Sequence, residues 1–444
     1  MELIDNLGMG VIEKCCLVLL LVGSCTKTIS ECTKDSDCTN IVYPFCDADG
    51  TYAASGGVHN VCTIVPPDCS VERCGCTPGA VTCMADVLTT CQADGKAVTR
   101  DACGLGCDVG NNRCYTFKPT NGMDGPLTAS AQKPAVTLPT QVKIDTTACQ
   151  IRDGSTDVLL GVSSLLVSQL NAPSICAFYA SSFDITDATV TGTNVLGFAA
   201  VGDITIRGTI DEAAKQHVQG NLNAGPGAVI TGDCVGVQSG GPSKTGGGGG
   251  GNATAGGNGY NGGVSVPYPS AGGLAQQNFT PVFGGCIGAT NAAGGGGALQ
   301  LDSLSDVQVA GTALLAFGGQ GGDATGGGGG AGGTIIIEAP MVEIAGGISA
   351  NGGGGGANGT CTDGAYGAPA TNDGVAAAGG VCNGATGGAG GTGTTAADRG
   401  HNSTNGAGGG GSVGRILIRT SNGEFTGPGT LFSIVKTTDT LVKH

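Results

Sequence analysis

From residue 143 onward, short apolar blocks alternate with runs of glycine. The segment "ALQLDSLSDVQVAGTALLAFGGQGG" (298–322) can be laid over "TIIIEAPMVEIAGGISANGGGGG" (334–356). Each reads as a short strand, a polar or proline-bearing corner, a second strand, a glycine, and a third strand that runs out into glycine. An earlier copy is "LGFAAVGDITIRGTIDEAA" (196–214), and a degenerate later one is "GRILIRTSNGEFTGPGTLFS" (414–433). Within the copies, Ile204 and Ile206, Val307 and Val309, and Val342 and Ile344 alternate with polar or small residues. Period two is the spacing of a strand with one buried face. Strands this short are not stable in isolation and must stack to offset the cost of ordering. The equivalent glycines Gly208, Gly311, Gly346 and Gly427 are separated by inserts of very different length. Insertions at one point of a repeat mark loops leaving one face of a solenoid. The pattern therefore predicts an all-β fold over 143–444: a right-handed parallel β-helix with long glycine-rich loop insertions. Ile335, Ile337, Val342, Ile344 and Ile348 form the expected inward ladder of one coil. A β-sandwich with disordered glycine arms explains the alternation but not the recurring order.

Composition sharpens this reading. Glycine accounts for 88 of 444 residues, against a usual share of roughly 7%. Without a strict Gly-X-Y period, collagen is excluded. The apolar share is 40% and the charged share 12%, which does not fit simple disorder. Polyglycine segments pinned at both ends can pack as extended left-handed helices or stay disordered, and composition permits either. The net charge of −15 argues against nucleic acid and against anionic lipid surfaces. The lack of Trp weakens a sugar-stacking lectin reading.

Cysteine use divides the chain. Of 21 cysteines, Cys15, Cys16 and Cys25 lie in or at the end of an apolar leader, twelve crowd between Cys32 and Cys114, and six are spread beyond. Even numbers in the last two groups point to disulfides and an oxidising compartment. Cys74-Gly75-Cys76 lacks the CxxC spacing of a zinc site. Residues 1–24, with an apolar run from Cys15 to Val22, read as a signal peptide too short to span a membrane. The acidic Glu2, Asp5 and Glu13 depart from the usual positive n-region, and a start at Met9 would remove most of that departure. Residues 32–114 read as small disulfide-rich modules, and 115–142, rich in Pro, Thr and Ser, as a linker. The six later cysteines allow local pairing as Cys149–Cys176, Cys234–Cys286 and Cys361–Cys382, although spacing does not fix connectivity.

Candidate chemistry is sparse. The best acid–base set is "GDITIRGTIDEAAK", with Asp203, Arg207 and Asp211 beside Glu212 and Lys215. Paired carboxylates with a basic neighbour are what glycosidic-bond cleavage requires. The default for such residues is a solvated strand face, so no catalytic residue is assigned. The four histidines, His59, His217, His401 and His444, are scattered and support no metal site. "GGQGGDATG" (318–326) approximates a single calcium-binding nonapeptide without a tandem copy. No cofactor is predicted, and a structural calcium ion is the one the sequence leaves open. "TVTGT" (189–193) is a single threonine row of the kind that ice-binding surfaces repeat.

"VGSC" (22–25) resembles a bacterial lipobox, which implies that Cys25 becomes a lipidated N-terminus followed by a tether over 25–31. The cysteine spacings resemble repeats found beside the lipid anchor in surface proteins of myxobacterial type. Together with "GGTIIIEAPMVEIAGGISANGGGGG", they make the chain similar to uncharacterised glycine-rich secreted lipoproteins of that type with a pectate-lyase-like parallel β-helix. In composition the glycine runs resemble those of glycine-rich antifreeze proteins and phage tail-tip adhesins. The resemblance implies secretion across the inner membrane and anchoring at the outer membrane or cell surface. The implied function is structural or adhesive and non-enzymatic, with a lipid anchor and with extracellular polysaccharide or another cell surface as partner. The alternatives are a polysaccharide-binding or polysaccharide-cleaving protein and an ice- or crystal-surface binder.

Overall fold

Alternation at period two places every second side chain of a strand on one face, and in the computed structural model those faces meet in one core. The structure describes residues 45–47, 61–63, 78–84, 86–93, 98–215, 223–238, 245–262, 270–276, 278–289, 293–359, 361, 366–401 and 405–444. The expected signal peptide, Cys25 and the 25–31 tether lie outside these residues. The chain divides into two compact units, 1–114 and 115–444. In the first, Val81–Met84, Val87–Cys91 and Val98–Ala102 form an antiparallel sheet. Disulfides Cys83–Cys107 and Cys103–Cys114 tie its end. No described helix is long and apolar enough to cross a membrane.

In the second unit the chain visits three sheets in turn, and each strand pairs in parallel with its counterpart in the next repeat. Ala298–Ser303, Asp306–Val309 and Leu314–Ala316 pair in register with Thr334–Glu338, Met341–Ile344 and Gly347–Ser349. These are the two segments that overlay in sequence. Register generates apolar ladders, such as Phe178, Phe198, Leu301, Ile337 and Ile418 across one sheet. Ile335, Ile337, Val342, Ile344 and Ile348 all lie in the same buried cluster.

The expected all-β right-handed parallel β-helix is corrected by three findings. Two of the three large sheets are mixed: Gln150–Asp153 runs antiparallel to both Gln141–Asp145 and Leu159–Leu160, and Ser164–Val167 runs antiparallel to Ile175–Ala180. A helix, Asp124–Ser130, packs on Ile175–Ala180 and Val195–Ala200. No closed solenoid is found among the described residues. The unit is mostly β, with mixed and parallel sheets and one helix. The physical reason lies in turns that period counting does not register. Asp145 Oδ1 accepts the N–H groups of Thr147 (2.8 Å) and Ala148 (3.1 Å), and Cys149 takes a positive φ of 53°. Side-chain capping of this kind reverses the strand. The stretch 115–142 also differs from a bare linker. It carries that helix, buries Phe117, Met123, Leu127 and Leu138, and contributes Val136–Thr137 and Gln141–Asp145 to the sheets.

Between repeats the chain leaves the sheets and enters a bundle of glycine segments. Residues 246–251 lie at its centre and are buried. Gly246 and Gly249 donate to Tyr260 and Gly257, Gly247 and Gly250 to Gly326 and Gly329, and Gly248 and Gly251 to Val237 and Cys234, all at 2.8–3.1 Å. The carbonyls of Gly247 and Gly250 accept from Gly409 and Ser412, that of Gly248 from Ala289, and that of Gly249 from Gly273. One segment thus has six neighbours, and four of these contacts repeat three residues further on. Three residues per turn is the period of an extended left-handed helix, with neighbouring chains in place of the water that normally solvates it. The spacing admits no side chain. A Cβ on Gly248 would collide with the Ala271 carbonyl, and one on Gly328 with the Gly248 carbonyl.

Gly248→Ala is therefore expected to destabilise the unit by ~1–3 kcal/mol, the range for overpacking a tight interior. Gly161→Ala, where an added Cβ meets nothing within 4 Å, is expected to change stability by less than about 0.5 kcal/mol. Denaturant unfolding of the two variants checks this. Equal effects would mean that the bundle does not depend on close backbone approach.

Candidate functional site

The acid–base residues expected from the sequence are not assembled into one site. Asp203 accepts from Ser305 Oγ at 2.6 Å. Arg207 pairs with Asp184 through Nε at 2.9 and 3.0 Å. Asp211 pairs with Lys215. Ile204–Ile206, between Asp203 and Arg207, belongs to the five-stranded sheet, whereas Thr209–Asp211 belongs to the eight-stranded one. Asp211 does line a cleft of about 360 Å³, with Gln141, Lys143, Asp187, Thr189 and Thr209. There Asp187 Oδ1 accepts the Thr209 N–H at 2.7 Å.

Glu212, next in the chain, is fully buried. Burial first, and then the neighbouring charge of Asp211, push its carboxyl well above the usual range. Arg415 is 3% exposed, with its guanidinium 4.9 Å from the Phe279 ring and 5.0 Å from the Phe283 ring. It donates to the carbonyls of Gln276 and Asn278 and to Thr334 Oγ1. Burial lowers its pKa to about 10, so it remains a cation at neutral pH.

The densest chemical constellation is one that strand periodicity does not reveal. On the outward face of the seven-stranded sheet, Asp302 lies directly opposite Glu338, and Glu338 opposite Arg419. Gln300, Asp302 and Glu338 are all 0% exposed, because the turn at Thr120–Gly122 covers them. Glu338 Oε2 accepts from the Thr120 N–H (2.8 Å) and Thr120 Oγ1 (2.9 Å), while Oε1 accepts from Arg419 Nη1 (3.0 Å). Gln300 Nε2 donates toward both Asp302 oxygens at 3.2 and 3.1 Å and toward Glu338 Oε2 at 3.2 Å. Burial, and secondarily the Glu338 charge, raise the Asp302 carboxyl well above its ordinary value. The cluster thus sets a carboxyl that burial pushes toward its protonated form beside a second carboxyl paired with arginine. The only sequence signal is the presence of Gln and Asp in "ALQLDS" and Glu in "TIIIE", at positions where alternation predicts solvent.

Among the described residues, two groupings of possible metal ligands make other contacts. The sulfurs of Cys83, Cys103 and Cys107 lie within 4.8 Å of one another, but all three belong to disulfides, and a metal needs thiolates. In the calcium-like "GGQGGDATG", Asp323 Oδ1 accepts from Thr325 N, Thr325 Oγ1 and Gly327 N, which makes a turn. The six later cysteines are joined as Cys149–Cys176, Cys234–Cys286 and Cys361–Cys382, with Cα separations of 5.3, 5.7 and 5.7 Å. His59 and His217 lie outside the described residues.

Two outcomes test the buried cluster. A carboxyl whose pKa is raised by folding binds its proton more tightly in the native state. Its contribution therefore falls as pH rises from the ordinary carboxylate range near ~4 toward the native pKa. Asp302→Asn, which keeps a neutral donor and acceptor, should remove this slope, so that its stability relative to wild type increases between about pH 4 and 7. Glu338→Ala, which removes the acceptor of Arg419 Nη1 and of the Thr120 N–H, should cost ~1–3 kcal/mol. Urea melts across pH provide both measurements.

Comparison with protein-family models, with curated proteins and with solved structures finds no match to this chain.

Proposed function

We propose that the protein is a non-enzymatic structural or adhesive component of a cell surface, attached through lipid on Cys25. The observation that carries this reading is the six-neighbour glycine bundle. It commits much of the 115–444 unit to a scaffold built from backbone alone, and its segments are joined by inserts of very different length. Inserts between fixed elements can vary without disturbing the core, which suits a display surface. Separate local partners for Asp203, Arg207 and Asp211 weigh against acid–base catalysis. The disulfides support an oxidising compartment, and the lipobox-like "VGSC" supports the anchor. A second reading, polysaccharide binding, is favoured by the cleft that sets Lys143 and Gln141 beside Asp187 and Asp211.

Cells producing the full chain and its Cys25→Ala variant, fed an alkyne-tagged fatty acid, test the first reading. Wild type should be labelled and the variant not, and attachment of cells to a surface or to each other should fall with the label. An unlabelled wild type would remove the anchor. Unchanged attachment with the anchor lost would remove the adhesive role. Retention on a polysaccharide column that Asp211→Ala abolishes would favour the second reading.

A further inference from the structure

The buried cluster contains the parts of an acyl-transfer site, and both reacting groups are the protein's own. Thr120 Oγ1 donates to the Glu338 carboxylate at 2.9 Å and lies 3.4 Å from the side-chain amide nitrogen of Gln300. The amide oxygen of Gln300 accepts from Asn121 Nδ2 at 3.0 Å. Its nitrogen carries two hydrogens, yet five oxygens stand 3.1–3.4 Å away: Thr120 O, Thr120 Oγ1, both oxygens of Asp302, and Glu338 Oε2. A nucleophile held by a base, a donor on the carbonyl oxygen and a carboxyl beside the leaving nitrogen are the elements that acyl transfer requires.

We infer that Thr120 and Gln300 become joined by an intramolecular ester that the folded protein forms itself. Glu338, fixed by Arg419 and the Thr120 N–H, takes the hydroxyl proton as Oγ1 attacks the side-chain carbonyl carbon of Gln300. Asn121 steadies the negative charge that gathers on the carbonyl oxygen. The carbon–nitrogen bond then breaks, and Asp302, whose oxygens stand 3.1–3.2 Å from that nitrogen and whose burial favours its protonated form, protonates it as it departs. The proton held by Glu338 returns to Asp302. A hydroxyl and a primary amide become an ester and ammonia, with no oxidant, reductant or metal. Gln300, Asp302 and Glu338 are shut off from solvent, which keeps water from the ester. Thr120, only partly buried, stands at the rim through which ammonia leaves. The bond closes a loop of 180 residues and ties the start of the 115–444 unit to the middle of the seven-stranded sheet.

Mass spectrometry of the full chain with its disulfides reduced is the test. The expected result is a loss of one ammonia, about 17 Da, with a proteolytic fragment in which the Thr120 and Gln300 peptides are covalently linked. Thr120→Ala should retain the ammonia and show no linked fragment, whereas Thr120→Ser, which keeps a hydroxyl, should restore both. Asp302→Asn should slow the loss in freshly folded protein. Wild type of full mass, with circular dichroism showing a folded β-rich chain, would overturn the inference. So would an ammonia loss that persists in Thr120→Ala, since cyclisation at Asn121-Gly122 sheds the same mass without a cross-link.

Discussion

A buried amide N–H that lacks an acceptor costs as much as a lost hydrogen bond or more, and this one constraint organises the 115–444 unit. In the sheets it is met by parallel pairing of each repeat with the next. In the glycine bundle it is met by segments that turn one donor in three toward each of three neighbours. Both parts obey the same rule, but they exclude water differently. The sheets do so with Ile, Val, Leu and Phe, and the bundle does so by bringing backbones so close that only glycine fits. The Cβ collisions predicted at Gly248 and Gly328 are the measure of that closeness.

The junction between the two explains the chain order. Leu314–Ala316 and Gly347–Ser349 run directly into bundle segments, and Gly332 and Gly333 feed the strand beginning at Thr334. The sheets therefore fix both ends of each insert that carries these segments, which reduces the entropy that glycine loses on ordering. The Cys234–Cys286 disulfide closes a loop of 52 residues between segments that also share neighbours, and restricts the unfolded chain in the region where side chains contribute least.

Much of the strand order was readable from period two. The overlay of 298–322 on 334–356 corresponds to three pairs of strands in register, and the five residues expected in the inward ladder lie in the core. The closed, uniformly parallel architecture was not correct. The hairpin at Cys149 depends on the Asp145 side chain and on a positive φ, and neither leaves a periodic mark. Whether the glycine runs pack was open in sequence, because packing there depends on neighbours up to about 160 residues away, such as Gly247 and Gly409. The polar cluster escaped notice for a related reason. Asp302 and Glu338 occupy positions that alternation assigns to solvent, and the distant turn at Thr120–Gly122, 218 residues before Glu338, covers them. Asp203, Arg207 and Asp211, close together in sequence, are divided between strands of two sheets.

A bundle held together by peptide groups also has a distinctive heat signature. Unfolding an ordinary core exposes apolar surface and raises the heat capacity, whereas exposing peptide surface lowers it. The region around 246–251 exposes almost only peptide groups when it opens. Its share of the heat-capacity change per residue is therefore smaller than that of the sheets, and its free energy varies less steeply with temperature. Cooling, which weakens the apolar ladders, leaves the glycine scaffold comparatively unaffected.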